Sequence, residues 1–217
     1  VEVAIHNILY VRQLYPVELF GRRKKYDMPV WRARHPELNE YISGAVKAVG
    51  EELILGNVEK VVMVIKDNNG APLERFIFSI KHMVQLESYD RDQRIIGAIS
   101  GKALSQCFRS FLVKLSMIES QLGPLIQNES ATFAIVLELQ GDKVPLASQH
   151  KGDLPPWVPA EKQHTTEGSS ESAELHFVRA VDTGVINVSL AVQESLQKLE
   201  SLDDWIGGDV KGKRKPV

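Results

Sequence analysis

The chain is poor in cysteine, in long apolar runs and in net charge, and each shortage removes a class of protein. Cys107 is the sole cysteine among 217 residues. No internal disulfide can form, so a small stapled secreted fold is excluded and a reducing compartment is expected. The longest unbroken aliphatic run is Val61 to Ile65. A membrane-crossing helix needs about 20 apolar residues, so no membrane partner is expected. Basic and acidic residues number 26 and 28, a formal charge of −2, which sets up no global field for nucleic acid. With 43% apolar and 7% aromatic residues, the composition is ordinary and globular; wholesale disorder and fibre are excluded. One domain with a long tail fits this length. The chain opens at Val1 inside a helical pattern and without a signal peptide, which reads as a helix whose start lies upstream.

Chemistry is sparse. The histidines at 6, 35, 82, 150, 164 and 176 never stand three or four apart, and none neighbours Cys107, so a converging zinc set is not expected. Cys107 lies beside an apolar helical stripe and reads as a structural thiol. Gly97 to Lys102 (GAISGK) resembles a phosphate loop but has three residues between its glycines and alanine after the lysine; it reads as an ordinary helix start. Asp90 and Asp92 are neutralised by Arg91 and Arg94 in a solvated loop. No acid, base and nucleophile set is apparent, so neither an enzyme nor a cofactor is expected.

The hydrophobic periodicity is richer. Residues 1–14 carry Val1, Ile5, Ile8, Leu9 and Arg12 at helical spacing, apolar until the last, and Tyr15-Pro16 closes the helix. Residues 17–35 read as a basic connection, with six Lys/Arg and one Asp between Arg22 and Arg34. A second helix begins at His35-Pro36-Glu37, proline and an acid suiting its first turn. The VEKVVMVIK run (58–66) predicts a strand buried on both faces, and Asp67 to Gly70 a tight turn into a partner strand from Leu73 to Ile80. The stripe Leu104, Phe108, Phe111, Leu115, Ile118, Leu122 predicts a third helix over about 95–121. Thr132 to Gln140 alternates as a further strand. A proline-rich polar stretch, 141–173, then precedes a terminal hairpin over 174–181 and 185–193. The expected class is α+β: a mixed, mainly antiparallel sheet backed by three helices. The basic tail, 211–215, reads equally as a nuclear address, and nuclear localisation, with or without the cytoplasm, is expected.

Several strings in this order carry a resemblance: ILYVRQLYP (8–16), RRKKYDMPV (22–30), HPELNEYI (35–42), VEKVVMVI (58–65), LERFIFSI (73–80) and FRSFLVKLS (108–116). The chain resembles HORMA-domain proteins, and within them the branch of the accessory, non-catalytic subunit of translesion DNA polymerase zeta. The resemblance implies a HORMA domain over 1–194, with a core over about 1–140, a safety belt over about 141–194 and a partly disordered tail over 195–217. It implies an adaptor for DNA damage tolerance, whose belt wraps an extended Pro-containing peptide of the catalytic subunit. It further implies docking of the C-terminal domain of a scaffold translesion polymerase, and pairing with a second HORMA domain.

By the same resemblance, Tyr41 falls on the family's peptide-contacting tyrosine, Trp157 on the belt tryptophan that packs on the peptide, and Leu175 on a belt leucine. Ser189 and Ala191 stand where relatives have glutamine and tyrosine, which removes an amide and a ring; either the peptide preference or the register differs. Arg109 and Lys114 fall on the helical face used for HORMA–HORMA pairing. Two other readings stay open. One is a spindle-checkpoint or meiotic-axis adaptor with a different peptide. The other is a DNA-binding protein working through its basic segments, although a solvated loop, with direct DNA contact weak or absent, is the expected state of Arg22 to Arg34.

Overall fold

The computed structural model describes residues 1–82, 99–125, 131–141, 143–145, 157–161, 165, 175–196 and 198–200. The elements in chain order are α1 (Glu2–Val11), β1 (Phe20–Lys25), β2 (Met28–Ala33), α2 (Pro36–Ile54), β3 (Val58–Lys66), β4 (Pro72–His82), α3 (Gly101–Ser116), β5 (Thr132–Leu139), β6 (Leu175–Asp182) and β7 (Ile186–Glu194). Five strands form one sheet in the order β5-β3-β4-β7-β6, and β1 and β2 form a separate ribbon. Every pairing among the described residues is antiparallel. This is the α+β class that the sequence predicts.

The strand alternation decides the core. Val61, Met63 and Ile65 of β3, Phe76 and Phe78 of β4, Phe133 and Ile135 of β5, and Leu190 and Val192 of β7 all join one buried cluster with α1 and α3. Val62 and Val64, on the opposite face of β3, are equally enclosed, as the unbroken aliphatic run predicts.

Two expectations need correction. The basic connection is not a loop. Residues 20–33 fold as a ribbon, Phe20 opposite Ala33 and Lys25 opposite Met28. Its two-residue turn is Tyr26-Asp27, both at positive φ (50° and 55°), the geometry whose twist suits a hairpin. Glycine or asparagine normally marks such a turn. Here the Tyr26 ring packs on Phe108 (5.4 Å between centroids) and Asp27 reaches Lys24 at 2.9 Å, which offsets the local strain. Second, the third α-helix is shorter than its stripe. Ser100 caps it by accepting from the Ala103 N–H, and it ends at Ser116. A 3-10 turn, Ile118–Ser120, carries the stripe on through Ile118. The expected helix start at 95–98 lies outside the described residues, as do Asp90, Asp92 and the tail from 201.

The terminal hairpin is fixed to the rest of the sheet by charge as well as by packing. Glu74 of β4 lies directly opposite Glu194 of β7. Arg12, just past α1, donates to both Glu74 carboxylate oxygens at 2.9 and 2.5 Å. Lys198, in the helical stretch after β7, donates to Glu74 at 2.6 Å and to the Gly123 carbonyl at 3.0 Å, and also pairs with Glu194. His176 Nε2 lies 3.2 Å from the second Glu194 oxygen. All four charged side chains are buried. The fold therefore continues past Glu194 through Lys198.

Two stability predictions follow from this packing. Phe76→Ala empties a fully enclosed site at the sheet centre and should cost about 3–5 kcal/mol, read as a lower urea midpoint. Glu74→Ala leaves Arg12 and Lys198 enclosed and short of a counter-charge and should also cost about 3–5 kcal/mol. Glu74→Gln keeps the volume, so if it melts as the parent does, the charge contributes nothing.

Candidate functional site

A strand at the end of a sheet leaves alternate backbone groups unpaired on its outer side. β5 is such a strand: β3 takes one side, Met63 opposite Ile135, and no strand among the described residues takes the other. The Ile135 N–H points outward and donates to the Tyr41 hydroxyl at 3.4 Å. By alternation, the backbone groups of Phe133 and Leu137 face the same way.

The residues around this edge are aromatic. Tyr41 stands on α2, which Pro36 starts and whose inward face includes the buried Ile42. Its ring meets Phe133 edge-on at 5.6 Å, and Tyr15 meets Phe133 likewise at 6.4 Å. Tyr41 remains 47% exposed, although it sits beside a core helix face. Burial, with a smaller effect from the Tyr41 phenol, raises the Tyr15 phenol above its ordinary pKa. Sequence reasoning singled out Tyr41 alone. Tyr15 read only as a helix stop and Phe133 only as strand alternation.

Trp157 packs partly buried against the core cluster. Its indole N–H is enclosed and has no hydrogen-bond partner among the described residues. A buried donor without an acceptor is costly.

The remaining predicted residues gather elsewhere. Leu175 lies on β6, at the edge of the sheet opposite β5. On the outward face Phe177 pairs with Ala191, Leu175 with Gln193, and Ala180 with Ser189. Leu175 and Phe177 are 61% and 67% exposed, a small apolar patch beside a second open edge. Phe177 escaped the sequence reading because its neighbours alternate like any strand. Tyr41 and the group Leu175, Ser189, Ala191 therefore stand at opposite edges, not in one site. Arg109 and Lys114 are exposed on α3. Val113 and Met117 beside them are also exposed, and one helical turn separates Arg109 from Val113 and Val113 from Met117, so they form a row.

Among the described residues, no three His, Cys, Asp or Glu side chains converge as a metal site, and no helix is long and apolar enough to cross a membrane.

Comparison with known proteins agrees with this architecture. The HORMA domain family model matches residues 1–145. The chain is 30% identical over 203 residues to the mitotic spindle assembly checkpoint protein MAD2B of Homo sapiens, covering 91% of this chain and 88% of that protein. It is 30% identical over 194 residues to the DNA polymerase zeta processivity subunit of Schizosaccharomyces pombe, with 88% of each chain covered. A protein of the same name from Arabidopsis thaliana is 36% identical over 127 residues, covering 58% of this chain and 55% of that one. Among solved structures, a chain of the mitotic checkpoint complex superposes with a TM-score of 0.65 at 18% identity, covering 90% and 94% of the two chains. C. elegans HTP-1 bound to a HIM-3 closure motif superposes equally at 14% identity, covering 89% and 86%. On the family match and these relatives, the chain belongs to the HORMA-domain family.

Proposed function

We propose that the protein is a non-catalytic, peptide-clamping adaptor: the accessory subunit of a DNA polymerase zeta. The open outer edge of β5 carries this reading. An extended peptide laid there adds a strand, main-chain hydrogen bonds giving affinity and side-chain pockets giving specificity. The Tyr41 hydroxyl occupies the Ile135 N–H and would yield it to a peptide carbonyl. Tyr15 and Tyr41, each packed edge-on with the buried Phe133, flank the edge with rings suited to a Pro-containing segment, whose rigid backbone loses little entropy on binding. The chain that leaves β5 at Leu139 re-enters the sheet at Leu175, on the opposite edge. It thus begins beside the peptide and ends across the sheet, as a belt must. Trp157 lies within it, its enclosed indole N–H without an acceptor among the described residues.

The relatives' names favour the catalytic subunit of polymerase zeta as the source of that peptide. The second open edge, with Leu175, Phe177, Ser189 and Ala191, suits the C-terminal domain of a scaffold translesion polymerase, so that one adaptor bridges two polymerases in the nucleus. Arg109 and Lys114, both exposed on α3, suit a second HORMA domain. A spindle-checkpoint or meiotic-axis adaptor would keep the clamp and change the peptide. A peptide array separates these readings.

Calorimetry with a Pro-containing segment of the catalytic subunit should give a 1:1 complex. No uptake by the intact chain would overturn the clamp. Tyr41→Ala should weaken binding by about 2 kcal/mol, the scale of an interface aromatic. Trp157→Ala should release the peptide at least about tenfold faster, measured by displacement of a labelled peptide; an unchanged off-rate removes Trp157 from the site.

A further inference from the structure

The ribbon of β1 and β2 packs on α1, and none of its residues is assigned to the clamp. Between Phe20 and Arg34 it carries six Lys/Arg and one Asp, 6 − 1 = +5. The four consecutive cations Arg22 to Lys25 are all exposed, as are Arg32 and Arg34. The one acid, Asp27, is matched by Lys24. As a loop, such a run would be a solvated face. As a ribbon with a fixed register, it holds its cations in fixed rows.

Behind the ribbon, against the first turns of α1, is a cleft of about 270 Å³ whose lining includes Arg23, Lys24, Lys25, Arg32, Glu2 and His6. His6 is only 2% exposed. The Ala33 N–H donates to its Nδ1 at 3.5 Å, which assigns the ring proton to Nε2. That Nε2 is enclosed and has no partner among the described residues. Burial lowers the imidazole pKa, Arg32 adds to that and Glu2 opposes it, so the ring is a neutral donor. Within the cleft Arg32 pairs with Glu2 at 3.7 Å and Lys24 with Asp27, which leaves Arg23 and Lys25, two residues apart on β1, as the cations offered to an outside anion.

We propose that the ribbon and its cleft bind the phosphate backbone of double-stranded DNA, independently of base sequence. A single phosphate would use the cleft alone. The cations instead run along about 10 Å of β1, a spacing on the scale of duplex DNA, which presents one charge per about 3.4 Å on each strand. Single-strand binding needs a free aromatic platform, and here none is offered. Trp31 is stacked on Tyr10 at 3.8 Å with the Arg22 guanidinium 5.3 Å over its ring, and Tyr26 packs on Phe108. A two-stranded ribbon is also of a width that the major groove admits.

Fluorescence anisotropy of the intact chain with a 30-base-pair duplex tests this between 50 and 200 mM NaCl. About four phosphate contacts give a log–log salt slope near −3.6, a roughly 100-fold loss of affinity across that range. Scrambling the duplex should change nothing. The triple variant Arg23→Ala, Lys25→Ala, Arg32→Ala, with an unchanged melting temperature, should weaken binding at least about tenfold at 50 mM salt and flatten the slope. A tail variant with Lys211, Lys213, Arg214 and Lys215 all changed to Ala should keep most of the affinity. Three results would each overturn the proposal: no duplex binding at 50 mM salt, loss of binding in the tail variant but not the ribbon variant, or a phosphopeptide that binds where the duplex does not.

Discussion

Two carboxylates face each other across the join between β4 and β7, and the rest of the molecule has to accommodate them. Glu74 and Glu194 are direct cross-strand neighbours, and like charges so placed oppose strand pairing. Burial makes the opposition worse, since a desolvated charge costs several kcal/mol unless it is compensated. Arg12 and Lys198 supply the compensation from outside the strands, one from the end of α1 and one from beyond β7. The Gly123 carbonyl accepts from both cations, and the Gly123 N–H reaches Glu194 at 3.3 Å. Apolar packing of Leu190 and Val192 would hold β7 against β4 without strongly fixing what surrounds it. The charge network does fix it: the pairing is tolerable only when α1, the chain after α3 and the segment following β7 are all in place. Docking of the terminal hairpin is thereby made cooperative with the core.

This constraint was invisible in the sequence for a physical reason. Arg12 stood out only as the position where an apolar helical face fails. Glu74 is one polar residue in an alternating strand, and Lys198 falls in what reads as the start of a tail. The partners are separated by 62 and 124 residues, and no periodicity links them. Patterns that arise within one element were legible by contrast. The doubly apolar run of β3, the alternation of Phe76 and Phe78, the α3 stripe and the terminal hairpin all stand where the periodicity puts them. The ribbon was lost because four consecutive cations have no alternation, and because its turn uses Tyr26 and Asp27 where glycine would signal positive φ. The candidate peptide edge was legible only through resemblance. Nothing local to Tyr41 distinguishes it from a core residue of α2, and its position over the Ile135 N–H depends on how α2 packs beside β5.

The network and the open edge together give the belt reading its energetic content. Residues 140–174 connect β5 to β6, and these strands stand at opposite edges of the five-stranded sheet, about 19 Å apart at normal strand spacing. Thirty-five residues are ample for that distance, since an extended chain covers about 3.3 Å per residue. A peptide added to β5 lies beside the point where the connection begins, while the connection's far end is held by β7 pairing and by Glu194, Lys198 and His176. Release of an enclosed peptide then needs either threading or undocking of the hairpin from β4. Undocking leaves Glu74 and Arg12 without Lys198, while Glu194 departs together with Lys198 and His176 and loses the Gly123 N–H. The side chains that set the cost of opening thus stand on strands two and three places from the peptide edge. On the proposed clamp, contacts at Tyr41 would govern which peptide is taken up, and the buried charges at β4 and β7 how long it is held.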